Sequence, residues 1–170
     1  MKYLFLDFDG VLNTSNDKDP SALNKKHLEV LNTVVEEHDP NIVISSTWRC
    51  FYPLYVLKEI LVTHGFKYPD KVVDTTPDLS IREGSRIVST YGTRGREVGE
   101  WIQNNIGIQS ESENPISYSI CILDDMEPGQ FGGLKKYLVM TSMSSGLHTG
   151  HIKQVRMMYE KQEPGFRGFK

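Results

Sequence analysis

Apolar residues fall along the chain in two alternating kinds of run. Tyr3-Leu4-Phe5-Leu6 is short, continuous and closed by Asp7-Phe8-Asp9-Gly10, the pattern of a buried strand with a glycine stop. A polar loop follows from Asn13 to Pro20. Leu28, Leu31, Val34 and Val35 then share one helical face, with Ser21 placed to cap that helix and Asp39-Pro40 to end it. Ile42-Val43-Ile44 predicts a second buried strand that stops at Ser45-Ser46-Thr47, and Leu54, Leu57 and Leu61 predict a second helix ended by Gly65. Val72-Val73 predicts a brief third strand. Asp74 to Tyr91, with Pro77, Gly84, several charges and no clear period, reads as a long ordered loop. Helical spacing returns at Val98, Trp101, Ile102 and Ile106 with a stop at Gly107, and Gln109 to Asn114 reads as a mobile surface loop. Ile120-Cys121-Ile122-Leu123 predicts the most buried strand, ending at Asp124-Asp125. Gly129, Gly132 and Gly133 lead to a weaker strand near Tyr137 to Met140, and Ile152, Val155 and Tyr159 predict a last helix.

Short apolar strands alternating with amphipathic helices predict an α/β fold, a mostly parallel sheet flanked by helices. The expected organisation is a single domain over residues 1–163, with residues 164–170 as a fraying tail. A chain of 170 residues, 38% hydrophobic and 24% charged, can bury a real core. Its net charge of −3 excludes a strongly basic nucleic-acid coat, while leaving room for a local basic groove. Cys50 and Cys121 cannot build a disulfide scaffold, and no stretch resembles a signal peptide or a spanning helix. A cytoplasmic location without membrane attachment is the expectation.

Parallel sheets place their chemistry beyond the carboxyl ends of the strands. The three strongest strands end in Asp7-Phe8-Asp9, Ser45-Ser46-Thr47 and Asp124-Asp125. Alternation along an extended chain lets Asp7 and Asp9 project the same way. Several carboxylates in one crevice repel one another unless a cation sits among them, and hard oxygen ligands with room for water and phosphate suit Mg²⁺. Such a site suits phosphoryl transfer. Asp7 can attack phosphorus to give an aspartyl-phosphate, and Asp9 can protonate the leaving oxygen and later activate water. Ser45 and Ser46 can hold phosphate oxygens, and Arg94 or Arg96, at a helix start, can offset charge.

These residues resemble the four motifs of the haloacid dehalogenase (HAD) superfamily. Tyr3-Leu-Phe-Leu-Asp-Phe-Asp-Gly-Val-Leu-Asn13 is similar to its first motif and Ile42-Val-Ile-Ser45 to its second. Arg94 or Arg96 resembles the basic third, and Ile122-Leu-Asp-Asp125 the acidic fourth. The resemblance implies a Rossmann-like domain with Asp7 as nucleophile and Asp9 as acid/base. It also implies Mg²⁺ held by Asp7, the backbone carbonyl of Asp9 and Asp125, with Asp124 in support. Within that family, Asp at position 9 favours phosphatases and phosphomutases over the dehalogenase and phosphonatase branches. Ser-Ser-Thr-Trp-Arg49 and Arg94-Gly-x-Glu-Val-x-x-Trp101 further resemble the HAD domain of Swiss Army Knife RNA-repair proteins and, loosely, the phosphatase half of phage polynucleotide kinase-phosphatase.

The spacing from Asp9 to Ser45 holds one loop and one helix, which leaves no room there for a cap; Ser45 to Arg94 has room for a small flap at most. An open crevice predicts a phosphorylated substrate such as a nucleotide or a polynucleotide end, with Trp48 stacking on a base or packing on its own helix and Arg49 clamping phosphate. The competing readings are a phosphatase of a small metabolite, a phosphomutase and a non-catalytic phosphate-binding module. A receiver-type signalling domain is set aside, because its phospho-acceptor position carries Ser45-Ser46-Thr47 here. His148 and His151 lack zinc-ligand partners and read as capping or solvated residues, Trp101 reads as core, and Lys135-Lys136 as solvated surface.

Overall fold

A computed structural model describes residues 1–84, 86–107 and 118–162. The elements are β1 (Lys2–Leu6), α1 (Lys25–His38), β2 (Asn41–Ile44), α2 (Leu54–Thr63), β3 (Val72–Thr75), β4 (Ile81–Glu83), β5 (Arg86–Val88), α3 (Thr93–Ile102), β6 (Ser119–Asp124), β7 (Leu138–Met140) and α4 (Thr149–Glu160). Five strands form one sheet in the order β3-β2-β1-β6-β7, every neighbouring pair parallel. This is a Rossmann-like α/β sheet flanked by helices, with β1 at its centre.

Alternation along the strands divides the core in two. Leu4, Leu6, Ile42, Ile44, Cys121 and Leu123 face the side covered by Leu28 and Leu31 of α1, Leu57 and Leu61 of α2, and Val155 and Tyr159 of α4. Phe5, Val43, Ile120 and Ile122 face the other side, against Val98, Trp101 and Ile102 of α3 and Phe131 and Leu134. Strands apolar on both faces need cover on both, which is why they read as continuous apolar runs. Trp101 is core, meeting Phe5 edge-on at 5.5 Å, while its indole N–H donates to Asp74 at 2.6 Å.

Several boundaries differ from the sequence expectation. Asn24, not Ser21, caps α1, its side chain accepting from the Lys26 amide at 3.0 Å, while Ser21 bonds Asp19 in the preceding loop. α3 ends at Ile102 and continues as a π-helical turn, Gln103–Gly107. Asp74 to Tyr91 is not a loop throughout: it completes β3 and then forms the β4–β5 antiparallel hairpin. Three residues a side, most of them exposed, carry too short a pattern for period counting to detect. That hairpin lies in the stretch between Ser45 and Arg94, where the spacing left room for a small flap at most. His148 caps α4 in a reciprocal capping box with His151. The loop expected at Gln109 to Asn114 and the tail from residue 164 lie outside the described residues. No helix among the described residues is long and apolar enough to cross a membrane.

Candidate active site

The sheet register continues one residue past the strand ends. Leu6 pairs with Ile44 and Leu123. Beyond them, the Ser45 amide donates to the Leu6 carbonyl at 2.9 Å, and the Asp7 amide to the Leu123 carbonyl at 3.0 Å. Ser45, Asp7 and Asp124 therefore form one row across the carboxyl ends of β2, β1 and β6. They share the parity of Val43, Phe5 and Ile122, so their side chains lie on the face covered by α3. All three are buried. The Ser45 hydroxyl is fully enclosed and has no hydrogen-bond partner among the described residues.

The amino end of α3 brings Arg94 to this row. One guanidinium nitrogen lies 3.3 Å from Asp7 Oδ2 and 3.3 Å from Asp124 Oδ2, and the other terminal nitrogen donates to Thr47 Oγ1 at 3.3 Å. Burial works against the Arg94 charge, but Asp7, Asp124 and Glu97 outweigh it and raise its pKa. Asp7 Oδ1 accepts from the Phe8 amide at 2.7 Å, and Asp124 Oδ1 from the Met126 amide at 2.9 Å.

Asp125 completes a cluster in which Asp7, Asp124 and Asp125 each offer an oxygen within 4.8 Å of the others. Burial, and then repulsion from Asp7, raises the carboxyls of both Asp124 and Asp125, the former to about 8. Carboxylates held this close with one shared arginine are strained when ionised, and a hard divalent cation would relieve that strain; the donor set fits Mg²⁺. Gly10 makes the cluster possible. It adopts φ +71°, and a Cβ there would lie 2.4 Å from the Asp125 carboxylate.

Asp9 sits differently. Its carboxylate is half-buried and receives two neutral donors, Asn13 Nδ2 at 2.8 Å on one oxygen and Trp48 Nε1 at 3.0 Å on the other. Asn13 is itself fixed by accepting from the Gly10 amide and donating to the Pro20 carbonyl. Trp48 meets Phe8 edge-on at 5.4 Å, so its indole is a clamp on Asp9 and not a free platform. Sequence reading missed both clamps. Asn13 closes the first acidic motif at the i+4 position from Asp9, a signal that was available.

Two expected substrate contacts need correction. Arg49 is not a free phosphate clamp. It donates to the carbonyls of Ser45, Ser46, Thr76 and Pro77 and pairs with Glu97 at 2.6 Å, which leaves no N–H for a ligand. It pins the loop after β2 instead, because that loop's buried carbonyls need donors. Arg96, two residues beyond Arg94 on a helix, points to the opposite side, where it is exposed and bonds Thr90 and Thr93. Ser46 is buried and caps the short turn Thr47–Cys50.

Glu97, which the sequence offered only as a position of the Arg94-to-Trp101 resemblance and with no role, joins three segments: it holds Arg49, lies 3.9 Å from Arg94 Nε, and accepts from the Leu79 amide at the root of the hairpin at 3.1 Å. In comparison with known proteins, residues 3–152 match the model of a family described as the HAD domain in Swiss Army Knife RNA repair proteins. No curated protein and no solved structure matches.

Proposed function

The chain belongs to the family of HAD domains in Swiss Army Knife RNA repair proteins, and from that premise we propose that it is a Mg²⁺-dependent phosphomonoesterase working on a nucleotide or a nucleic-acid terminal phosphate. The observation that carries the reading is the buried row of Ser45, Asp7 and Asp124 with Arg94 bridging the two carboxylates. A structural ion pair needs neither a third acid nor an enclosed hydroxyl without a partner; a phosphoryl site uses both.

Asp7 attacks phosphorus, the bond to the leaving oxygen breaks, and Asp9 gives its proton to that oxygen. Asp9 then takes a proton from water, which attacks the acyl phosphate; the phosphorus–Asp7 bond breaks and the carboxylate returns. Ser45 donates to a non-reacting phosphate oxygen, and Arg94 offsets charge that grows in the transition state. Asp7, the Asp9 carbonyl and Asp124 or Asp125 would hold Mg²⁺, which would lower the repulsion between carboxylate and phosphate. Trp48 and Asn13 hold Asp9 in place through both steps. Two free cysteines fit a cytoplasmic protein.

Phosphate release from mononucleotides, 3′- and 5′-phosphorylated oligonucleotides and sugar phosphates, with and without Mg²⁺, tests the reading. Expected is Mg²⁺-dependent release that Asp7→Asn abolishes and that is fastest on nucleotides or polynucleotide ends. Full activity in Asp7→Asn would sink the chemistry; a preference for sugar phosphates would sink the substrate class.

A further inference from the structure

Asp9 borders a cleft of about 930 Å³ whose other wall is aromatic. Trp48, Phe51 and Tyr52 line it, and Phe51 and Tyr52 are 62% and 45% exposed. Large aromatic side chains left this open beside a catalytic carboxylate are not serving the core. Trp48 and Tyr52 stand 6.2 Å apart and inclined, so these two rings of the wall adjoin.

The charge of the cleft restricts what it can hold. No lysine or arginine lines it among the described residues, whereas Asp9 and Asp19 do. Backbone phosphates would meet repulsion there, and a flat neutral group would not. Ser21 and His64 add polar atoms near the aromatic wall, which suits a heterocycle with donors and acceptors on its edge better than a plain phenyl ring.

Position supplies the rest. In the proposed reaction Asp9 protonates the leaving oxygen, so the leaving group must extend toward the side of the crevice that Asp9 borders. We infer that this cleft is the leaving-group subsite and that it takes the base of the terminal nucleoside against Phe51 and Tyr52. The inference rests on the phosphatase reading and adds to it: recognition stops at one nucleoside, and the chain does not grip a length of backbone.

The test compares kcat/KM on nucleoside 3′- and 5′-monophosphates with kcat/KM on ribose 5-phosphate, in the wild type, Phe51→Ala and Tyr52→Ala. Stacking of one base leads to an expected fall of about tenfold in the ratio of nucleotide to ribose phosphate in each variant. A ratio that moves less than about twofold in both variants overturns the subsite, since a stacking contact exceeds that effect. A wild-type preference for a phosphotyrosine peptide over every nucleotide overturns it as well. If the wild type hydrolyses no phosphomonoester at all, the phosphatase reading fails separately, and quenching of tryptophan fluorescence by AMP then reads the cleft. Affinity weakened about tenfold in Phe51→Ala supports the subsite; unchanged affinity, or no quenching, overturns it.

Discussion

Asp7 and Asp9 are the same residue type two positions apart, yet one belongs to a buried ionic array, the inner wall, and the other lines the aromatic cleft, the outer wall. Asp7 lies on the inner wall, buried in an ionic array with Arg94, Asp124 and Asp125. Asp9 lies on the outer wall, half-exposed, and its partners are an amide and an indole. The inner wall holds charge at fixed positions out of water, where in the proposed reaction it would act strongly on a substrate phosphate. The outer wall holds a carboxylate whose partners are neutral donors, the setting that the proposed acid/base role of Asp9 calls for. One motif thus places two carboxylates, two residues apart, in two environments, and the proposed reaction gives each its own role.

Breaking the inner wall carries the largest expected effect. Arg94→Ala leaves Asp7 and Asp124 buried without their shared cation, and the expected loss is about 3–5 kcal/mol of stability together with nearly all turnover. Arg96→Ala, on the opposite side of α3, is expected to stay within about 0.5 kcal/mol and to leave kcat/KM unaltered. Denaturant titration and steady-state kinetics on the pair check the contrast, and equal effects would contradict it.

Metal and pH act on the same wall. Burial and Asp7 raise Asp124 to about 8, against roughly 3.9 in an unfolded chain. The folded, metal-free protein therefore holds this proton to higher pH than the unfolded chain does. The stability from this group is fully present below about pH 4 and is lost as pH rises toward about 8. Mg²⁺ at the proposed site would favour the ionised form, so its stabilisation is expected to grow over the same window. At a hundredfold excess over Kd the expected gain is about 2.7 kcal/mol, or about 8 °C in Tm. Melting curves with EDTA or Mg²⁺ at several pH values measure this, and a Mg²⁺ shift independent of pH would count against the acidic cluster as the site.

Glu97→Gln tests whether the arginines are organised from behind. It removes the charge that Arg49 and Arg94 share, and the expected cost is about 2 kcal/mol with a parallel fall in kcat. Calorimetry and kinetics read both; unchanged values would make Glu97 a bystander. The smallest effect belongs to the outer wall. Trp48→Phe keeps an aromatic ring but deletes the donor to Asp9, and the expected fall in kcat is about tenfold, the worth of one hydrogen bond to a charged group. An unaltered kcat would show that Asp9 needs no clamp.

Much of this arrangement was legible in the residues because strand ends announce themselves. The apolar runs before Asp7, Ser45 and Asp124 marked the sheet, and parallel order then put their ends together. What stayed hidden depends on side-chain direction. Whether Arg94 or Arg96 meets the carboxylates follows from the angular position of α3, which no spacing rule fixes without the sheet beneath it. Arg49 read as a free cation because the buried carbonyls that occupy it come from Ser45, Ser46, Thr76 and Pro77, the last two distant in sequence. Glu97 stood in the Arg94-to-Trp101 motif without a role, because its partners Arg49 and Leu79 are distant in sequence, and the β4–β5 hairpin was too short to leave a period.

The central claim is that Asp7 becomes covalently phosphorylated. Mixing enzyme, Mg²⁺ and a terminally phosphorylated nucleotide, quenching in acid and sequencing the peptides by mass spectrometry tests it most directly. The expected result is a hydroxylamine-sensitive phosphoryl group on the peptide carrying Asp7, absent in Asp7→Asn. Rapid turnover with no phosphorylated peptide at any quench time, or with the label on another residue, would contradict it.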